Sequence, residues 1–223
     1  ADIIVPDMHY SIPSDISIND TNGDGRADRL YVGDTGGQVW RVDLGDDIKL
    51  TGGAGLAGTT VVGLLATISS AVASVDQRRF FESPAVIQVL DTTYSDASGG
   101  EYDYVLIGTG NRAHPLDKNV DDRFYAFRDK TIGKMTDADN DNLADAGYPQ
   151  SSGPITHTDM IDITTQTLDT ALATDATAIR AALGWYFDFT SSGVDGEKVL
   201  SSPIALAGIV AFTTYRPDAL SSV

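Results

Sequence analysis

The chain has 223 residues, 42% hydrophobic and 21% charged, which suits a globular domain with a substantial core rather than a disordered segment. Its formal charge of −17 argues against nucleic acid as a partner, because phosphate binding needs clustered Lys and Arg. There is no Cys, so disulfides and thiolate chemistry are excluded.

No charged n-region or cleavage pattern opens the chain at Ala1, so these residues read as a mature or excised segment without a secretion signal. The first strong signal is Asp20-Thr21-Asn22-Gly23-Asp24-Gly25-Arg26-Ala27-Asp28. Side-chain oxygens stand at its first, third, fifth and ninth positions (Asp20, Asn22, Asp24, Asp28), and Arg26 offers a backbone carbonyl at the seventh. Hard cations take about six to eight oxygens, and alternating Asp/Asn in a tight loop converges several, so the run predicts a Ca²⁺ site. Gly25 occupies the sharp turn, a place for positive φ.

Strand, Gly-rich turn and strand follow: Arg29 to Gly33, Asp34 to Gly37, Gln38 to Leu44. Alternation puts Trp40, Val42 and Leu44 on one face and Val39, Arg41 and Asp43 on the other. Gly55 to Val75 lacks charge, but Gly, Ala, Thr and Ser make up more than half of it. It reads as a Gly-rich loop at 52–55 followed by a buried strand or short helix, not a membrane span. Ser83 to Ile87 marks another strand, and Tyr104 to Gly110 repeats the Gly-terminated pattern. Its return strand is Arg123 to Arg128.

Lys130 to Gly193 is the largest insertion. It holds a second run in the same frame, Asp137-Ala138-Asp139-Asn140-Asp141-Asn142-Leu143-Ala144-Asp145. Asp137, Asp139, Asp141 and Asp145 supply carboxylates, Asn142 the turn and Leu143 the carbonyl. Four carboxylates this close repel one another without a cation. Neither run is an EF-hand, because the twelfth position is Tyr31 in one and Tyr148 in the other. The competing reading of each is an acidic surface turn without metal. A helix is expected from Thr174 to Leu183, with Thr174 or Asp175 as N-cap and Gly184 as its stop. Ser202 to Leu206 and Gly208 to Tyr215 begin a third repeat that stops at Val223 before a return strand. The recurring strands predict an all-β fold, a modified β-propeller, whole or partial, of four-stranded antiparallel blades with one helical insertion.

Catalytic signatures are weak. His9, His114 and His157 lack zinc spacing, and no Ser sits in a Gly-x-Ser-x-Gly setting. Arg78, Arg79 and Arg112 read as salt-bridge partners rather than phosphate binders, and Trp40 and Trp185 as core.

Asp20 to Asp28 with Arg29-Leu30-Tyr31-Val32-Gly33-Asp34 and Gly37 to Leu44 resembles the C-terminal propeller of the PilY family of type IV pilus biogenesis factors and tip-associated adhesins. Phe81 to Val86 agrees, as do Ile107 to Asp117 with Asp122 to Asp129, and Gly184 to Phe187 with Gly196 to Leu200. The match runs from near residue 11 to near residue 216. The resemblance implies a calcium-binding propeller without enzymatic activity, acting in pilus extension and retraction, twitching motility and surface adhesion. It places the protein outside the cytoplasm, at the pilus or cell surface of a Gram-negative bacterium. The implied partners are minor pilin components or a surface or host ligand. Carried over, the ligands are Asp20, Asn22, Asp24, Asp28 and the Arg26 carbonyl. The second acidic loop departs from the family pattern, and the large variable N-terminal region of such proteins is not among these residues. Two rivals are an integrin-type calcium-loop binding module and a quinoprotein-like oxidoreductase. The first would repeat the loop ahead of every Gly-terminated strand, yet only Glu101 and Asp103 precede Tyr104; the second lacks assignable cofactor residues.

Overall fold

The turn Asp34–Gly37 organises the first sheet. In the computed structural model, which describes residues 3–45, 59–69, 76–91, 100–146, 153–165, 176–192, 195–206 and 208–217, Asp34 accepts the backbone N–H of Gly36 at 2.8 Å and of Gln38 at 3.0 Å. Its other oxygen accepts the Trp40 indole N–H at 2.9 Å, and Gly37 closes the turn at φ 75°. Around this turn β1 (Ser17–Asn19), β2 (Arg29–Gly33), β3 (Gln38–Asp43) and β4 (Val61–Thr67) form an antiparallel meander in that order. The buried apolar segment expected within 55–75 is therefore a strand; the Gly-rich loop at 52–55 lies outside the described residues.

The second sheet has five strands. β5 (Ala85–Leu90), β6 (Glu101–Gly108) and β7 (Arg123–Asp129) pair antiparallel as the repeat predicts. Beyond β7 the sheet continues with β9 (Gly184–Asp188), antiparallel to it, and then β8 (Ile161–Asp162), parallel to β9. Residues 184–188, counted inside the insertion on sequence grounds, are thus a sheet strand. Their partner β7 lies more than 50 residues upstream, too far for a local hairpin signal. The helix spans Ala176–Ala181, shorter than expected, and its expected caps Thr174 and Asp175 lie outside the described residues. Two hairpin-like pairs complete the chain, β10 (Lys198–Val199) with β13 (Thr214–Tyr215), and β11 (Ile204–Leu206) with β12 (Ile209–Ala211). The fold is all-β apart from the short helix.

The sheets stack in sequence order. Tyr31, Val39 and Leu65 of the first face Phe80, Val105, Ile107, Tyr125 and Phe127, forming the main core. The opposite face of the second sheet, Leu106, Phe124 and Ala126, packs on Val199, Ala205, Val210 and Phe212. Ile3, Val5 and Met8 of the N-terminal arm cover Val32, Trp40 and Val62 on the outer face of the first sheet. Full burial of each such side chain contributes on the order of 2 kcal/mol.

The Gly that ends each inner strand has one physical reason in both repeats. A Cβ at Gly33 would collide with Phe80, and a Cβ at Gly108 with Val199. Phe80 and Val199 each stand three residues before a Ser-Pro pair, Ser83-Pro84 and Ser202-Pro203. The next sheet therefore leans on the end of the preceding one at equivalent positions, which makes the sequence repeat a packing repeat.

Candidate metal centre

The two acidic runs fold into the same loop. In the first, the Asp20 carboxylate accepts N–H groups from the fifth and sixth positions, Asp24 at 3.3 Å and Gly25 at 2.7 Å. In the second, Asp137 accepts the equivalent N–H groups of Asp141 at 3.0 Å and Asn142 at 3.3 Å. The fifth-position carboxylates accept from the seventh residue, Asp24 from Arg26 at 2.9 Å and Asp141 from Leu143 at 2.8 Å. The ninth-position carboxylates reach back to the second residue, Asp28 to the Thr21 N–H at 2.9 Å and Asp145 to the Ala138 N–H at 2.8 Å. Positions four and six take positive φ in both, Gly23 (77°) and Gly25 (86°), Asn140 (60°) and Asn142 (70°). Asn tolerates that region at little cost, which is why the second loop dispenses with Gly.

Each loop is tied to an edge of the first sheet. Asp28 donates its N–H to Asn19 at 3.0 Å and its carbonyl accepts from Leu44 at 2.8 Å, so the first loop is locked between β1, β2 and the end of β3. Leu143 pairs in parallel with Val62 of β4, and Asn142 donates its side-chain amide to the Thr60 carbonyl at 2.9 Å.

Oxygens available to a cation differ between the loops. Asp137, Asp139 and Asp145 bring carboxylate oxygens within 4.8 Å of one another, the one such acidic group among the described residues. Asp141 stands outside that group. In the first loop Asp28 is fully buried, and its Oδ1 has no hydrogen-bond partner while Oδ2 is held by Thr21. A buried carboxylate oxygen without a donor costs free energy unless something positive meets it. The Gly25 N–H, with those of Gly23, Asn22 and Asp24, holds the Asp20 carboxyl below the usual carboxylate range. The donors of both loops are oxygens, the class that suits a hard divalent cation, so the residues present fit Ca²⁺.

Between the loops lies a charge cluster that sequence reading missed. Arg29 donates to Asp43 at 2.8 Å and to Asp103 at 2.9 Å; Arg41 donates to Asp43 at 2.7 Å and to Asp129 at 2.8 Å. The Tyr31 hydroxyl lies 3.0 Å from Asp103 and 2.9 Å from Asp129. Burial alone would push the Asp43 carboxyl up, but Arg41 and Arg29 hold it below the usual range. Asp103 and Asp129 are register partners on β6 and β7, where like charges repel, and the guanidinium groups of the facing sheet resolve that conflict. The same two Arg side chains donate to the carbonyls of Thr131, Ile132 and Gly133, and Asp43 accepts the Met135 N–H at 2.8 Å. The cluster thus pins the segment that leads directly into the second loop.

His157 is a satisfied structural residue, as its isolation in sequence suggests. Its Nε2 lies 3.1 Å from the Ile68 carbonyl and its Nδ1 3.3 Å from Arg123, with Arg78 and Tyr125 also 3.3 Å from the ring. A proton on Nε2 satisfies Ile68 and leaves Nδ1 to accept from Arg123. Burial, with Arg78 and Arg123, pushes the imidazole down to about 4. Its contribution to stability is complete above the ordinary value of about 6.5 and is lost as pH falls from there toward 4. Allowing for partial solvent screening, the loss is on the order of 1–2 kcal/mol. Asp122, pushed up to about 6 by burial, opposes it over part of that range. The expected result is that urea midpoints of His157→Gln fall less than wild type between pH 7.5 and pH 5; parallel profiles would refute it. Arg78 pairs with Asp76 and Arg112 with Glu82, as expected, whereas Arg79 pairs with no described residue.

No family model matches the sequence, and no curated protein matches it. Among solved structures, the Pseudomonas aeruginosa PilY1 C-terminal domain aligns over 92% of this chain with a TM-score of 0.57 and 21% sequence identity. The fold is similar to that of part of the PilY1 C-terminal domain. This chain covers 44% of the PilY1 chain, less than half its length. Among the described residues no helix is long and apolar enough to cross a membrane.

Proposed function

We propose that this chain is a calcium-binding, non-enzymatic propeller domain of PilY type, acting at the cell surface in type IV pilus biogenesis, twitching motility and adhesion. The stacked antiparallel meanders are read as successive propeller blades, an architecture that matches the packing repeat at Gly33 and Gly108. The observation that carries the calcium reading is the unpartnered, buried Oδ1 of Asp28 in a loop whose hydrogen-bond frame recurs at Asp137 to Asp145. In the first loop Asp20, Asn22, Asp24, Asp28 and the Arg26 carbonyl would hold the ion; in the second, Asp137, Asp139, Asp145 and the Leu143 carbonyl, with Asp141 adjoining.

The ion would supply positive charge and nothing else. It offsets the mutual repulsion of the carboxylates and fixes two loops at opposite edges of one sheet, so that a rigid blade edge is presented to pilin or surface partners. Calorimetric titration of the metal-stripped chain tests this. Two ions are expected to bind wild type, with Asp24→Ala losing one and Asp139→Ala the other. The Asp139 carboxylate has no hydrogen bond with any described residue, so its removal leaves the loop's own frame intact. Absence of binding to wild type would overturn the reading.

A further inference from the structure

The β2–β3 turn, the end of β4 and residues 77–79 enclose a cleft of about 330 Å³, at the opposite end of β2 from the first acidic loop. That volume is in the range of small-ligand sites. Its wall is Tyr10, 52% exposed, whose ring lies so close over Gly36 that any Cβ there would strike it. The arm carrying Tyr10 is pinned by the Thr35 N–H donating to the Ser11 carbonyl at 2.9 Å. Thr35, Gln38, Thr67, Ser69, Gln77 and Arg79 complete the lining, the Gln38 Oε1 being itself buried, and Gln77 and Arg79 also line an adjoining pocket with Asp117 and Asp122. Ser69 donates to the Asp76 carbonyl at 3.1 Å, which leaves its oxygen to accept.

The lining chemistry is selective. In a protein of formal charge −17, no acidic side chain and no aliphatic one lines this cleft among the described residues, and the one charged group among them is Arg79, which pairs with no described residue. Hydroxyls and carboxamides match the donor and acceptor pattern of vicinal sugar hydroxyls. A planar aromatic ring presents an apolar face suited to the C–H face of a pyranose. A guanidinium recognises a carboxylate bidentately. A peptide adding to a strand edge is disfavoured, because β3 is paired on both sides and the outer edge of β4 is occupied at Ala66 by Ile155.

We infer that the Tyr10–Arg79 cleft binds a carboxylated saccharide, Tyr10 stacking on the ring and Arg79 pairing with the carboxylate. The site stands independently of the calcium loops. Titration of the full chain with trigalacturonate and sialyllactose, against lactose and a tetraglutamate peptide, tests it by calorimetry and ligand-observed NMR. The acidic saccharides are expected to bind at least about tenfold more tightly than lactose, and Arg79→Gln to lose about tenfold, the value of one charge-assisted pair. Tyr10→Ala is expected to weaken trigalacturonate and lactose alike. Both side chains are exposed, so unchanged urea midpoints separate lost binding from lost folding. Failure of both acidic saccharides to bind, undiminished binding by the two variants, or tetraglutamate binding as tightly as the saccharides would each overturn the inference. Repeating the titration in chelator and with Asp24→Ala distinguishes this failure from that of the calcium reading, since saccharide binding is expected to persist in both.

Discussion

Asp43→Ala is expected to lower the free energy of unfolding by about 3–5 kcal/mol, the usual cost of removing one partner from a buried ion pair. Asp43 is fully buried and accepts from Arg41, Arg29 and the Met135 backbone, so its loss strands two guanidinium groups without their shared counter-charge. The remaining Asp103 and Asp129 satisfy part of the cluster, which sets the effect below complete loss of folding. In a chain of this size the melting temperature should drop by roughly 10 °C. Urea unfolding of Asp43→Ala, Arg41→Ala and the double variant checks the assignment. The double variant should cost much less than the sum, because removing both partners leaves fewer buried charges unpaired. Additive effects, or a single-variant loss below about 1 kcal/mol, would show that the cluster is not the tie between the sheets.

The second large effect is that of calcium on stability. At a free concentration one hundred times its dissociation constant, an ion bound only to the folded chain adds about 2.7 kcal/mol per site. A rise of roughly 5–10 °C in melting temperature is therefore expected on passing from chelator to saturating calcium for one site alone. Asp28→Ala should remove the first loop's increment, since it deletes the one buried ligand oxygen without another partner. The increment is present at neutral pH and disappears as the carboxylates protonate on acidification. Asp20, held below the usual carboxylate range by its N–H donors, keeps its charge to lower pH than an ordinary Asp. Melting curves in chelator, calcium and magnesium decide the matter; identical curves would exclude a structural cation.

The acidic loops were legible in the sequence because their side-chain oxygens lie within nine consecutive residues. The shared spacing gives both loops the same hydrogen-bond frame, with positive φ at the fourth and sixth positions, but it did not show that Asp141 stands outside the group of Asp137, Asp139 and Asp145. Strands β2, β3, β6 and β7 were legible through alternation and their terminal Gly. The charge cluster was not. Arg41 and Asp43 alternate with Trp40 and Val42 in the manner of a solvated face, and only the facing sheet, with Asp103 and Asp129 sixty or more residues away in sequence, turns that face inward. β9 was absorbed into the insertion for the same reason: its pairing with β7 spans a connection that no local pattern encodes. The Tyr10–Arg79 cleft joins residues from four separate segments, which no local pattern brings together.

The outer edge of β4 has a further consequence. Its sequence, Val61-Val62-Gly63-Leu64-Leu65-Ala66-Thr67, is uncharged and rich in β-formers, the composition of a self-associating strand. The Asn142 and Ile155 carbonyls and the Ala144 and Ile155 N–H groups take up the backbone groups of that edge at Val62, Leu65 and Thr67. The acidic loop is in this sense a gatekeeper, setting four carboxylates beside the segment least able to protect itself. Loosening it exposes a template for intermolecular pairing while the rest of the fold still stands, so the first symptom of a damaged second loop would be loss of solubility, ahead of any loss of fold.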